Sequence, residues 1–297
     1  MAKRVFLFLA TNLAILVVLS IAMAVLQSLG ILDFAGQQGS LLVFCLLYGF
    51  GASFISLLIS RWIAKRSMGV KLVDGATGNA DADWLYNTVG NLARQANLPM
   101  PEVGVYNAPE VNAFATGPSK KRSLVAVSTG LLRQMNRTEI EGVLAHEISH
   151  IANGDMVTMT LIQGVVNAFV LYLSHVVAGI VRNFLSGDRD RGSGFGGGLV
   201  YFAVYFAAQI LFGIVGSMIT AWFSRGREFR ADAGAAHLAG TGSMIAALRS
   251  LQHATAPVDT QNRELATLKI AGGRSLMRLL ATHPPLEDRI LALEGRS

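Results

Sequence analysis

Thr138-Glu139-Ile140-Glu141 opens, and Asn153-Gly154 closes, a stretch whose centre is His146-Glu147-Ile148-Ser149-His150. Thr138 with Glu141 three residues later matches a capping box, so a helix is predicted to start at Thr138 and to run until Asn153-Gly154 stops it. Four residues are just over one helical turn. Both imidazoles therefore leave the same face toward a single ion, with Glu147 beside them near the ion's open side. With six histidines in the chain, shuffling would produce this pattern roughly four times in a thousand, so coincidence is set aside. The single cysteine, Cys45, lies inside an apolar run. Neither a disulfide framework nor a Cys-rich metal site is available, and any metal must be held by histidine and carboxylate.

Outward from this helix the chain is unusually apolar. Of its 297 residues 52% are hydrophobic and 15% charged, and mean hydropathy is +0.45. Soluble domains carry about 25% charge. Disorder, collagen and coiled coil are excluded. Four stretches, Val5 to Leu32, Leu41 to Ser60, Met156 to Val181 and Phe195 to Ser224, contain no Asp, Glu, Lys or Arg. Each can cross a hydrocarbon core, which takes about 20 apolar residues. The start of the chain also resembles a signal peptide, with Lys3, Arg4 and the small-x-small sequence Ala22-Met23-Ala24. Its apolar run exceeds the usual length and a second span follows closely, so it reads as an uncleaved anchor. The third stretch carries Gln163, Asn167, Ser174 and His175, a polar stripe whose ordinary use is hydrogen bonding between helices.

Lys3 and Arg4 precede the first span and Arg61, Lys65, Arg66 and Lys71 follow the second, whereas the link between them has neither Lys nor Arg. The positive-inside rule puts the N-terminus and everything after Ser60 in the cytoplasm. The second pair fits less well, because its link carries Arg182, Arg189 and Arg191, partly offset by Asp188 and Asp190. Either the hairpin crosses nonetheless or it is embedded only in part. The overall charge of +6 is scattered and follows from this orientation; nucleic-acid binding is not expected.

The division is thus 1–60, two N-terminal spans; 61–155, the first water-facing piece; 156–224, a second hydrophobic hairpin; and 225–297, the second water-facing piece. The two water-facing pieces hold about 170 residues, enough for one core and not two, so they must pack together. Ala82 to Ala96 reads as an amphipathic helix ended by Asn97-Leu98-Pro99. Strands follow at Glu102 to Tyr106, Val111 to Thr116 and Ser123 to Ser128, the last two joined by a turn through Gly117-Pro118-Ser119 and Lys120-Lys121-Arg122. A small hairpin sheet is predicted. The basic triplet reads as a solvated turn, with lipid headgroups as the alternative. Helical segments are expected near Arg227 to Ala239, Ser243 to His253 and Leu286 to Leu293, and Ser186 to Gly198 reads as a glycine-rich connector.

A catalytic zinc site takes three protein ligands and leaves one position for water. Candidates for the third are Glu228, Asp232, His237, His253 and His283. His150 lies just before the third hydrophobic stretch and Glu228 just after the fourth, so an even number of crossings, or none, returns Glu228 to the metal's side and depth. Glu228 and Asp232 are also one turn apart, so the first can bind metal while the second accepts a hydrogen bond from a ligand histidine. The alternative is a surface carboxylate pair. His237 and His253 are left as ordinary polar residues.

With these motifs in order, the chain resembles the HtpX-type membrane-embedded heat-shock zinc proteases, relatives of the CAAX prenyl proteases. The likeness covers nearly the whole length and includes Ser224-Arg225-Gly226-Arg227-Glu228-Phe229-Arg230-Ala231-Asp232. It also includes Asn112-Ala113-Phe114-Ala115, Val125-Ala126-Val127-Ser128-Thr129-Gly130, and His283-Pro284-Pro285-Leu286 followed by Arg289. The resemblance implies a mainly α membrane protein, with four hydrophobic helices and an α+β gluzincin-like domain. It implies that His146, His150 and Glu228 bind one Zn2+, that Glu147 is the catalytic base, and that His283 and Arg289 lie near the site and assist the tetrahedral intermediate. The strand with Asn112, Ala113 and Phe114 would line the substrate groove. The residues by themselves leave His283 open to starting a helix before Pro284-Pro285, and Asn112 to capping a turn.

The implied activity is a zinc endopeptidase of the bacterial inner membrane, working at the cytoplasmic face on misfolded or damaged membrane proteins or unfolded polypeptides. The competing readings are a processing protease for a defined, for example lipidated, substrate and a non-enzymatic metal-binding membrane protein.

Overall fold

The computed structural model describes residue 21, residues 36–185, 194–255 and 279–295. The first apolar stretch, Val5 to Leu32, lies outside the described residues apart from Ile21, as does most of the Ser186 to Gly198 connector. The elements in chain order are α1 (Gly36–Met68), β1 (Lys71–Val73), α2 (Ala80–Gln95), β2 (Glu102–Tyr106), β3 (Ala113–Ser119) and β4 (Arg122–Ser128). They continue with α3 (Thr129–Gln134), α4 (Arg137–Asn153), α5 (Asp155–Leu185), α6 (Gly194–Ala239), α7 (Thr241–Thr255) and α8 (Leu286–Glu294). Among the described residues three helices, over Leu41–Met68, Asp155–Phe184 and Gly198–Ala239, are long and apolar enough to cross a membrane.

Of the described residues, those within Leu57–Met159 and Ala221–Ser297 form one compact unit, and those within Val5–Ser56 and Thr160–Thr220 another. In the second unit the polar stripe is satisfied partly within its own helix and partly across to neighbouring helices. Gln163 donates to Asn167 at 2.7 Å and Asn167 to Ser53 at 3.5 Å, and the His175 ring hydrogen-bonds the Tyr201 hydroxyl.

The first unit is built on a four-stranded mixed sheet of order β1-β2-β4-β3. β2 and β4 are parallel, and the outer pairs β1–β2 and β3–β4 are antiparallel. The expected hairpin is the antiparallel β3–β4 pair; β1 is an additional strand, and the first predicted strand, β2, lies parallel to β4. Side chains alternate along β4, as the strand period of two requires. Val125 and Val127 enter the larger core with Leu85, Val89, Leu92, Leu144, Ile148 and Leu248. Leu124 and Ala126 enter a smaller one with Tyr106, flanked by Ala64, Met68, Val70 and Phe114. β3 begins at Ala113 and runs through Gly117-Pro118 to Ser119, leaving only Lys120-Lys121 as the turn. Gly117 accounts for the difference. Its φ is 142°, and a Cβ there would stand 2.2 Å from the Arg122 carbonyl oxygen, so it forms an irregularity within the ladder instead of ending it.

Helix α4 starts one residue earlier than expected, and its capping box is a different one. Asn136 accepts from the Glu139 amide while the Glu139 carboxylate accepts from the Asn136 amide. Gly154 ends it in the left-handed conformation with φ 70°. Leu144 and Ile148 are fully buried on its inner face, each contributing roughly 2 kcal/mol. The segment carrying Glu228 is not a separate helix. α6 is continuous over 46 residues from the apolar run to Ala239, so a single rod carries the backbone from the last apolar turn into the site.

Candidate metal centre

Helix periodicity brings His146 and His150 together, their rings edge-on with centroids 4.5 Å apart. Their Nε2 atoms are 3.1 Å from each other. Glu228 closes the triangle, with Oε1 3.3 Å from His150 Nε2 and Oε2 3.5 Å from His146 Nε2. One ligand atom from each residue falls within 4.8 Å of the others. Each outer ring nitrogen meets a buried carboxylate: His146 Nδ1 is 2.9 Å from Asp232 Oδ1, and His150 Nδ1 is 2.6 Å from Asp155 Oδ2. A proton on Nδ1, held by these carboxylates, leaves the Nε2 lone pairs of both neutral rings facing one another.

That arrangement fits a divalent cation on two counts. Tetrahedral zinc with Zn–N of about 2.05 Å sets neighbouring ligand atoms about 3.3 Å apart, close to the three separations above. The second count is charge. Asp155, Glu228 and Asp232 are buried with one buried guanidinium, Arg289, while the less buried Arg227 and Arg230 stand 3.7 Å from Glu228 and 3.9 Å from Asp155, so with neutral imidazoles the buried carboxylates outnumber the buried cations by two. Glu228 Oε1 is moreover buried without a hydrogen-bond partner, Arg227 Nε standing 3.7 Å away and beyond hydrogen-bond reach, which leaves an acceptor that a coordinated cation would satisfy.

The electrostatics follow the same pattern. Burial would raise the Glu228 pKa, but the facing rings of His146, His150 and His283 outweigh it and hold the carboxyl below its ordinary range. Burial likewise opposes Asp232, which Arg289 and His146 hold low. Burial would lower His150, yet Asp155 and Glu228 push it up to about 9.

The other expected residues fall at different distances from this centre. Glu147 is half-buried beside the histidines and makes no hydrogen bond among the described residues. His283 Nδ1 is 2.8 Å from Glu228 Oε2, with 62% of its side chain exposed, so it lies at the open side. Arg289 is 5% exposed and lies behind the ligands, its Nε donating to Asp232 Oδ2 at 2.8 Å and its Nη2 to Oδ1 at 2.5 Å. Arg225 donates to the Leu279 and Ala281 carbonyls at 3.1 and 2.9 Å, securing the backbone just before His283. Asn112 is exposed at the start of β3, its amide donating to Ser128 Oγ at 3.1 Å. Ala113 packs toward the larger core, and Phe114 lies against Tyr106 on the opposite face of the sheet. His237 and His253 are exposed. Asp155 is the residue the sequence reading passed over. The usable signal was general: a metal-ligating histidine wants a carboxylate on its other nitrogen, and an aspartate directly follows the Asn153-Gly154 stop.

Comparison with known proteins puts the chain among the metallopeptidases: residues 79–297 match Peptidase family M48, and the chain belongs to that family. It is similar along nearly its full length to proteases named HtpX. It is 52% identical to Protease HtpX of Shewanella oneidensis over 294 residues, 99% of this chain and 100% of the relative. It is 51% identical to Protease HtpX of Aeromonas hydrophila subsp. hydrophila over 293 residues, again 99% and 100%. Among solved structures, the crystal structure of S. mikatae Ste24p shares the fold, with TM-score 0.67 at 20% identity over 99% of this chain and 67% of that one. The protein is a membrane metallopeptidase.

Proposed function

We propose that the chain is a zinc endopeptidase of the bacterial inner membrane whose catalytic face looks into the cytoplasm and whose substrates are misfolded or damaged membrane proteins. The observation that carries this reading is the convergence of His146, His150 and Glu228 beside an unengaged Glu147. His146, His150 and Glu228 would hold the ion, with Asp232 and Asp155 fixing the two rings. Bound zinc would lower the pKa of water from 15.7 toward about 7 and polarise the scissile carbonyl. Glu147 takes the proton of the attacking water and returns it to the leaving amine. His283, at the open side, is placed to donate toward the developing oxyanion, a contact typically worth about 3 kcal/mol. Arg289 acts through Asp232 and is a positioning residue. β3 is an edge strand of the sheet, and its outer side, beginning at Ala113 between Asn112 and Phe114, would take up an extended peptide by strand addition, which favours unfolded segments over a fixed sequence.

Full-length protein loaded with zinc should digest an unfolded membrane protein, and Glu147→Gln should retain the metal while losing nearly all turnover. Wild-type rates in that variant would overturn the mechanism. Cleavage of a prenylated peptide alone, with the unfolded protein left intact, would replace quality control by processing of a defined substrate.

A further inference from the structure

We infer that the tip of the β3–β4 hairpin, Lys120-Lys121-Arg122, docks on anionic lipid headgroups at the bilayer surface from which α1 emerges. α1 carries no charge from Leu41 to Ser60 and then presents Arg61, Trp62, Lys65 and Arg66. Trp62 is 57% exposed. Tryptophan beside basic residues at the end of an apolar run marks the membrane interface.

The sheet is tied to this point of the helix. Arg61 Nη1 is 3.2 Å from Glu102 Oε1 and Lys65 Nζ is 3.1 Å from Glu102 Oε2, which sets the first residue of β2 level with that turn. Further along, Val70 lies against Gly104 and Lys71 pairs with Val105. From Lys65 to the helix end at Met68 the rise is about 4.5 Å, with Val70 just beyond it and its amide bonded to the Lys65 carbonyl, and from Glu102 to Gly104 the rise is about 7 Å in the same sense. β2 therefore runs beside α1 in the same direction, away from the bilayer. β4 is parallel to β2, with Leu124 opposite Glu102. Arg122 lies two residues before Leu124, about 7 Å nearer the bilayer, level with the turn of α1 that ends at Ser60. Lys120 and Lys121 turn just beyond it.

The charge of the tip is unspent. Lys120, Lys121 and Arg122 are exposed, and none is paired with a carboxylate among the described residues, whereas Glu102 neutralises Arg61 and Lys65. Turn geometry does not call for lysine either. Two-residue hairpin loops favour Asn-Gly or Gly for their positive φ, and neither lysine has one. Three unpaired cations held at interface depth match a surface of anionic headgroups. Docking there would pin the outer end of β3, the edge strand, to the membrane surface.

The test uses the full chain in lipid nanodiscs, with Cys45→Ala and a fluorophore on Ser119→Cys, and a nitroxide carried on the lipid headgroup as quencher. Each basic residue near an anionic surface favours the docked state about fivefold. Quenching should be strong with phosphatidylglycerol, weak with phosphatidylcholine alone, and reduced by high salt. Lys120→Gln/Lys121→Gln/Arg122→Gln should lose most of it. Fluorescence that headgroup nitroxide leaves untouched in every disc would put the tip in bulk water and overturn the proposal. So would quenching that ignores lipid charge and salt, an arm that leaves the three basic residues unchanged.

Discussion

His150 Nδ1 is 2.6 Å from the buried carboxylate of Asp155, so the second histidine of the helix is aimed by a residue on the far side of the helix stop. Gly154, in the left-handed conformation, turns the chain so that Asp155 faces back toward the ring it follows. Asp155→Ala should weaken zinc binding by about 10- to 100-fold, the usual cost of losing such a partner. Asp155→Asn keeps an acceptor and should lose less. Competition against a chromophoric chelator measures both, and equal, unaltered affinity in the two variants would remove Asp155 from the site.

Arg289 meets Asp232 with two donors, and both residues are almost fully buried. Removing the guanidinium leaves an uncompensated carboxylate in the interior, a loss of about 3–5 kcal/mol. Arg289→Ala should therefore unfold at markedly lower denaturant than wild type. Arg289→Lys restores charge without the planar two-donor match and should recover only part of the loss. Joining Arg289→Ala with Asp232→Ala should cost less than the two single losses added together, because neither charge is then left alone. Strict additivity in that cycle would mean that the pair is not coupled.

The parts of this site that could be read from the chain are those with a helical period. His146 and His150 are one turn apart, Glu228 and Asp232 likewise, and the apolar runs between them bring the two helices to one side. Asp155 has no such signature, since it lies five residues beyond His150 across a break in the helix. The cap of α4 was ambiguous for a related reason. Asn136 with Glu139 and Thr138 with Glu141 both satisfy the pattern, and the backbone uses the first because Met135 already ends α3 in extended conformation. β1 is three residues long, Lys71–Val73, too short for alternation to register. Its pairing follows from the run of α1 through Met68, which delivers the chain to the free edge of β2. The parallel β2–β4 pairing is a tertiary fact that no local spacing encodes.

In metal-free protein, burial would lower the pKa of both histidines, but the facing carboxylates reverse this. His150 rises to about 9 through Asp155 and Glu228, and His146 also rises, through Asp232 and Glu228. A folded-state pKa above the ordinary value of about 6.5 gives stability that is complete below that value and is lost as pH climbs through the raised one. The melting temperature of the metal-free protein should thus fall between about pH 7 and about pH 9, a slope absent once zinc holds the imidazoles neutral. Zinc binding near pH 7 should release a proton from His150, visible by calorimetry in buffers of different ionisation enthalpy. Binding without proton release would contradict these protonation states.

Gly234 controls how closely α6 approaches α4. A Cβ at this position would stand 2.6 Å from Ser149 Oγ and 2.9 Å from Ser149 Cβ, and Ser149 is itself buried, its hydroxyl bonded to the Ala145 carbonyl at 2.8 Å. Two effects compete in Gly234→Ala. Alanine favours the helix by up to about 1 kcal/mol, while overpacking a buried crossing typically costs about 1–3 kcal/mol. The contact falls between the residues that carry His146 and His150 and those that carry Glu228 and Asp232, so relief by separation would draw the carboxylates away from the imidazoles. Overpacking should win, lowering stability and zinc affinity together. Ser149→Gly clears both offending atoms and should restore affinity in the double variant, although glycine within α4 keeps stability below wild type. Loss of zinc affinity that Ser149→Gly leaves uncorrected would mean that the spacing of these two helices does not set the geometry of the site.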